Sequence, residues 1–218
     1  VTAAARRRAP ALVALAVVAL LGTVGCGVGF DDEPRSLQSE ASTTTVADSP
    51  TEGRLAAVLY YVREGALLPV LEELPDRTPS TLLSALATPP VANGLGTSIP
   101  AGTEVLGTAR DGDRLTVDLS SEFDNVVGLS RQQAIGQMVL TVTEQGSVDQ
   151  LEFQVDGETL TVSSPLRGDT TVVTACDFAA LLASPDEAAG AGLSAEAISD
   201  LDERRTELAE TCEQSAPD

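Results

Sequence analysis

The sequence predicts an α+β fold: a mostly antiparallel sheet built from hairpin–helix units, helices packed on one face, and a C-terminal helical extension. Three observations predict it. Leu115, Val117 and Leu119 alternate with Thr116, Asp118 and Ser120, which is the period of a half-buried strand. Asp-Gly dipeptides at 111–112 and 156–157 stand between apolar runs, where glycine supplies the positive φ of a tight hairpin. Helical apolar faces lie between the strand pairs, first Leu82, Leu83 and Leu86, then Ile135, Met138, Val139 and Val142. Paired strands alternating with helices pack as layers around one core.

The chain opens with an address. Arg6-Arg7-Arg8 precedes an apolar stretch from Ala9 to Val24, whose Leu/Val/Ala core fits a secretory h-region and falls short of the ~20 residues of a membrane span. Leu21-Gly22-Thr23-Val24-Gly25-Cys26 resembles a bacterial lipobox, with a small residue before a cysteine whose thiol attacks the lipid donor. Thr23 and Val24 depart from the usual choices there. The expectation is a signal peptide over residues 1–25 and lipidation of Cys26, anchoring the protein on the outer face of the cytoplasmic membrane; the alternative is an uncleaved anchor. Residues 26–53 read as a disordered tether, with Asp31, Asp32 and Glu33, Pro34, a Ser/Thr run from Ser42 to Thr45, and Pro50. A flexible coil of about 25 residues reaches roughly 25–30 Å.

Residues 54–163 carry the domain. Arg54 to Val62 is a buried strand, Arg63-Glu64-Gly65 a turn, and Ala66 to Leu74 a second strand that Pro69 confines to an edge or bulge. Thr78-Pro79 starts a helix as N-cap and N1, and Pro89-Pro90 stops it. A Gly/Pro-rich connection runs from Val91 to Gly102. The stretch from Thr103 to Gln145 reads strand, turn, strand, turn, helix, with Ser130 as N-cap, Gln133 as its capping-box partner and Gly146 as the C′ glycine. Gln150 to Val155 and Glu158 to Val162 flank the second Asp-Gly turn. The order hairpin, helix, hairpin, helix, hairpin has the look of a degenerate repeat.

These segments resemble the GerMN domain, the sporulation and spore-germination module of bacterial envelope lipoproteins. The resemblance covers roughly residues 55–160. It is carried by Val58-Leu59-Tyr60-Tyr61-Val62 with its turn into Leu67-Leu68-Pro69-Val70, Leu82-Leu83-Ser84-Ala85-Leu86, and Ser98-Ile99-Pro100-Ala101-Gly102-Thr103. Leu115 to Phe123, the Gln-rich helix and Phe153-Gln154-Val155-Asp156-Gly157 complete it. The Val-Asp-Leu-Ser segment with Phe123 close behind is its most specific part, so Asp118, Leu119, Ser120 and Phe123 are the family motif, structural or binding in role. The resemblance implies a non-catalytic envelope module and supplies no ligand.

Composition narrows the chemistry. The 218 residues hold 13 Lys+Arg, all of them Arg, against 33 Asp+Glu, for a net charge of −20. Such a chain repels phosphate backbones, so nucleic acid is not an expected partner. With no His, the usual Ser-His-Asp and Cys-His mechanisms and HExxH-type zinc sites are excluded. With no Trp, two Tyr and four Phe, stacking platforms for sugars or bases are few. Asp118 and Glu122 are the one carboxylate pair that invites a glycosidase reading. The competing reading has Asp118 bonding loop backbone, Ser120 or Ser121 capping a turn and Phe123 filling the core. Asp111-Gly112-Asp113 lacks the ordered ligand run of a calcium loop and reads as a turn. No cofactor and no metal site are expected.

Residues 164–218 form the extension. Thr174-Ala175-Cys176-Asp177 carries a capping pattern, Ser184-Pro185 breaks that helix, and Ser194 caps a longer one on which Ile198, Leu201, Leu208 and Cys212 share a face. Asp200 and Arg204 are an i,i+4 pair. With Cys26 spent on lipid, Cys176 and Cys212 are the remaining thiols in an oxidising compartment, and a disulfide is the natural pairing; buried thiols or a redox switch are the alternatives.

The functional expectation is a non-catalytic envelope lipoprotein, tied to the membrane through Cys26, whose domain binds an envelope protein or cell-wall partner through a sheet edge or loop surface. The alternatives are an envelope glycan hydrolase using paired carboxylates without His, and a structural accessory that its acidic surface holds away from anionic wall polymers. The sequence leaves the oligomeric state open.

Overall fold

The computed structural model describes residues 53–90 and 94–214. The chain separates into two units, residues 1–47 and 48–218, and the described residues all belong to the second. The signal peptide, Cys26 and nearly all of the tether therefore lie outside the described residues. No helix among those described is long and apolar enough to cross a membrane.

The first hairpin joins β1 (Leu55–Arg63) to β2 (Ala66–Leu74), in register from Leu55 opposite Leu74 to Arg63 opposite Ala66. Its turn is Glu64-Gly65, both at positive φ (50° and 94°), as a type I′ hairpin turn requires. α1 (Pro79–Leu86) starts where Thr78 Oγ1 accepts from Thr81 N and buries Leu82, Leu83 and Leu86. The main sheet contains β3 (Val105–Asp111), β4 (Arg114–Leu119), β5 (Gln150–Val155) and β6 (Glu158–Thr159), in that spatial order. Its pairs are antiparallel except β4 with β5, which are parallel because α2 (Gly128–Thr143) crosses over between them. The fold is thus the expected α+β arrangement with one parallel pair at its centre.

Leu115, Val117 and Leu119 face inward, as their alternation predicts. The turn before them is shifted by one residue from expectation. Asp111 pairs with Arg114, so Gly112-Asp113 forms the loop, with Gly112 at φ +63° in first position. That is the type II′ placement of glycine. At the other Asp-Gly, both Asp156 (φ 48°) and Gly157 (φ 80°) are central. The last hairpin is also shorter than expected. Leu160 N still donates to Phe153 O, but the chain then leaves the sheet to bury Val162 in β7 (Val162–Ser164), which pairs with β8 (Gly168–Thr170).

α2 begins two residues before Ser130, so Ser130 is not its N-cap. Gly128, at φ +61°, turns the chain into the helix, and Arg131 Nε reaches back to Val126 O at 2.7 Å. Ile135, Met138, Val139 and Val142 are buried as predicted, but so is every residue from Gln133 to Val142. This helix is enclosed rather than one-sided. Gly136 permits it: a Cβ there would stand 3.2 Å from Leu67 and Phe178 side-chain atoms.

Residues beyond 163 join the core. β9 (Val172–Val173) pairs with β5, and Phe178, in the 3-10 segment Ala175–Leu181, is fully buried. That segment already ends at Leu181, so Ser184-Pro185 does not break it but starts α3 (Pro185–Gly190), where Ser184 and Glu187 form a capping box. α4 (Ala195–Gln214) follows, with Ser194 Oγ accepting from Ala197 N at 3.2 Å. Leu68, Ala183, Ala188, Ala191 and Leu201 form a second small apolar cluster.

Candidate interaction surface

The motif residues hold loops together. Asp118 Oδ1 accepts from Gly157 N at 2.9 Å and so braces the Asp156-Gly157 turn. Ser120 bonds Glu104 twice: its N–H donates to Glu104 O, and its Oγ accepts from Glu104 N, both at 3.0 Å. Leu119 and Phe123 are buried, and the Arg131 guanidinium sits 5.8 Å from the Phe123 ring centroid. Glu122 is exposed, and bonds from the Ser120 hydroxyl and from backbone N–H hold its carboxyl below the usual range. A glycosidase acid needs the opposite displacement. Gly112-Asp113 is a turn, and among the described residues no cluster of His, Cys, Asp or Glu could hold a metal ion.

Backbone edges are closed by side chains that sequence reasoning passed over. Gln133, Gln137 and Thr141, spaced by four, form a buried polar stripe along α2. Gln137 Nε2 donates to Tyr60 O at 2.9 Å, and Thr141 Oγ1 accepts from Tyr60 N at 3.1 Å, so α2 supplies the partner strand that β1 lacks. Gln137 Oε1 accepts from Ser98 N, and Gln133 bridges Gly65 O and Ser98 Oγ. Farther along β1, Val62 and Gly96 exchange both backbone bonds at 2.8 Å. The readable signal was polar residues at i, i+4 and i+8 inside an apolar helix.

β2 is closed partway along: Leu67 bridges to Leu182, and Ala183 N donates to Leu67 O at 2.9 Å. β3 differs. It is a terminal strand of its sheet, Leu106 to Asp111 are exposed, and among the described residues no backbone group bonds to its outer side. A bulge between Val105 and Gly107 breaks the ladder, leaving Thr108–Asp111 as the regular open stretch.

The extension is fastened by several ties. Cys176 and Cys212 are bonded, with Cα atoms 5.6 Å apart. Next to Cys176, Asp177 accepts from Ser164 Oγ (2.7 Å), Arg167 Nε (2.7 Å) and Nη2 (2.5 Å), and Thr174 N (2.8 Å). Burial alone would raise its pKa, but these donors outweigh it and hold the carboxyl below the usual range. Arg204, expected to pair with Asp200, instead pairs with Glu144, the residue that follows α2. Glu144 also accepts from Tyr60 OH at 2.9 Å, and burial pushes the Tyr60 phenol up to about 12. Arg205 donates to Leu182 O and Ala183 O.

A comparison with curated proteins finds no match. Among solved structures, the tandem GerMN domains of the sporulation protein GerM from Bacillus subtilis match at 21% identity over 57% of this chain and 47% of that one, with a TM-score of 0.49. This chain thus spans about half the length of that protein. The first GerMN domain of the same protein matches at 23% identity over 55% of this chain and 95% of that one, with a TM-score of 0.46. Residues 57–161 match the family model Germane, described as sporulation and spore germination, and over those residues this chain is a GerMN domain.

Proposed function

We propose that this chain is a non-catalytic binding module of the bacterial cell envelope, held at the membrane by lipid on Cys26, whose GerMN domain docks a partner protein along the β3 edge. The open edge of β3 carries this reading. An edge strand offers unpaired N–H and C=O groups at one-strand spacing, and a partner segment that adds to it gains main-chain bonds without rearranging the core. β1 is closed at Tyr60 and Val62 and β2 at Leu67, whereas β3 has a regular run of outward backbone groups with no such cover, which favours it as the partner's place. The motif carboxylates point away from hydrolysis: Asp118 is bonded to a turn, and Glu122 is held ionised.

Cross-linking the lipidated protein in intact cells, beside a Cys26→Ala form, tests this. A specific envelope protein captured by the first and lost with the second supports the module. If nothing specific is captured and the purified chain cleaves cell-wall glycan, the non-catalytic reading is wrong.

A further inference from the structure

A groove of about 200 Å³ opens beside β3, between that strand, the start of α1 and the end of α2. Its floor is Leu82, Leu115 and Val148, and its rim carries Arg77, Thr108 and Arg110. No carboxylate lines it, which is unusual for a chain of net charge −20. Neither of its two arginines is engaged by a carboxylate among the described residues. Arg110 is held only by backbone carbonyls, those of Gly112 and Ser147. Arg77 has no partner among the described residues. Every other described arginine is engaged by a carboxylate or a backbone carbonyl, as Arg114 is by Glu152 and Arg63 by Ala191 O.

We infer that this groove receives an acidic side chain of an extended partner peptide, held between Arg77 and Arg110 while the peptide pairs with β3. The inference rests on the β3-edge reading above and names the chemistry of its partner. The register supports it. Thr108 and Arg110 stand opposite Val117 and Leu115, and Asp111 and Arg114 flank the two-residue turn as a hydrogen-bonded pair. Bonded and non-bonded pairs alternate from there, so the backbone groups of Thr108 and Arg110 point outward. A peptide residue set opposite either of them projects its side chain to the same face, toward the groove.

Two arginines without a carboxylate suit an anion, because charge-assisted bonds from guanidinium are the strong ones. The apolar floor selects an acidic residue with apolar neighbours over a hydrated phosphodiester polymer. The acidity of the whole chain does not prevent this, since at physiological salt charges beyond about 8 Å are largely screened.

The test uses three fluorescently labelled, end-capped heptapeptides, Val-Thr-Val-Xaa-Val-Thr-Val with Glu, Gln or Lys at Xaa, titrated against the full chain by anisotropy at physiological salt. The Glu peptide is expected to bind about tenfold tighter than the Gln peptide, with the Lys peptide weakest. Arg77→Gln abolishes the Glu preference, and Arg110→Lys, which keeps the charge, retains most of it. Equal binding of the three peptides, no binding of the Glu peptide at about 1 mM, or an unchanged preference in Arg77→Gln overturns the inference. Displacement of the Glu peptide by a soluble glycerol phosphate polymer that binds more tightly than the peptide overturns the peptide assignment. Thr108→Pro separates the two readings. It is expected to weaken the Glu and Gln peptides alike. If both still bind it fully while Arg77→Gln abolishes the preference, the groove stands and the edge reading fails.

Discussion

The strand edges of this molecule are treated in two ways. Along β1, Gln137 and Thr141 bond Tyr60 on both of its backbone groups, and Gly96 bonds Val62 on both. At β2, Leu182 and Ala183 cover Leu67. Each closure commits polar atoms from a distant part of the chain, buried ones at Tyr60 and Leu67, and an unpaired buried carbonyl or amide is expensive. β3 receives no such cover. Its outer groups lie in water, where leaving them unpaired costs little, and its own Thr108 and Arg110 border a groove without acids. The same backbone chemistry is therefore sealed where it is buried and left open where it is wet, and an open edge is available to another chain.

Perturbing the sealed edges should cost stability, and perturbing the open one should not. The largest effect is expected from Cys212→Ser. The Cys176–Cys212 bond closes a loop with a sequence separation of 36 residues. In the chain-entropy model it contributes about 3–4 kcal/mol. Its loss should lower the urea midpoint and speed hydrogen exchange in α4 and at Ala183 before α2. Equal exchange in α2 and α4 would mean that the extension is not separately fastened.

Gln137→Leu comes next. It leaves Tyr60 O and Ser98 N without their partners inside the fold. The expected cost is about 2–3 kcal/mol by denaturant unfolding. A loss below about 0.5 kcal/mol, the range of ordinary surface changes, would show that α2 does not stand in for a strand.

Asp177 gives a smaller, pH-dependent effect. Its folded-state pKa is depressed, so its contribution is present above the ordinary aspartate value near 4 and is lost as pH falls below that. Asp177→Asn should be less stable at neutral pH and should show a shallower loss of stability on acidification, followed by thermal melting between pH 6 and about 2. Parallel curves for the two proteins would contradict this.

What the sequence revealed of this plan follows from the range of each interaction. The first hairpin, α1 and the inward face of β4 were legible because period and turn chemistry are local: Leu115, Val117 and Leu119 need only the pleat to point inward. The same local signal misled where it has two meanings. Thr78-Pro79 reads as a start and Ser184-Pro185 as a stop, yet both cap a helix, because a hydroxyl before proline satisfies an N-terminal amide wherever it falls. Gly112 reads as a turn residue and is one, but pairing of Asp111 with Arg114 decides its position in the loop. Long-range partners left little trace. Arg204 chose Glu144 over the nearby Asp200, and the stripe of Gln133, Gln137 and Thr141 gains meaning only once β1 lies beside it. The open edge of β3 and the groove with Arg77 were likewise invisible, since each depends on what the rest of the chain leaves uncovered.

The most direct measurement concerns Thr108→Pro. Thr108 sits at a non-bonded position of the β3–β4 ladder, so proline there removes an outward donor and none of the fold's own bonds. Stability should change by no more than about 0.5 kcal/mol. Cross-linking of this variant in intact cells, beside the unaltered protein, should then lose the captured envelope partner at equal abundance and unchanged melting temperature. Undiminished capture by the folded variant would contradict the assignment of β3 as the binding edge.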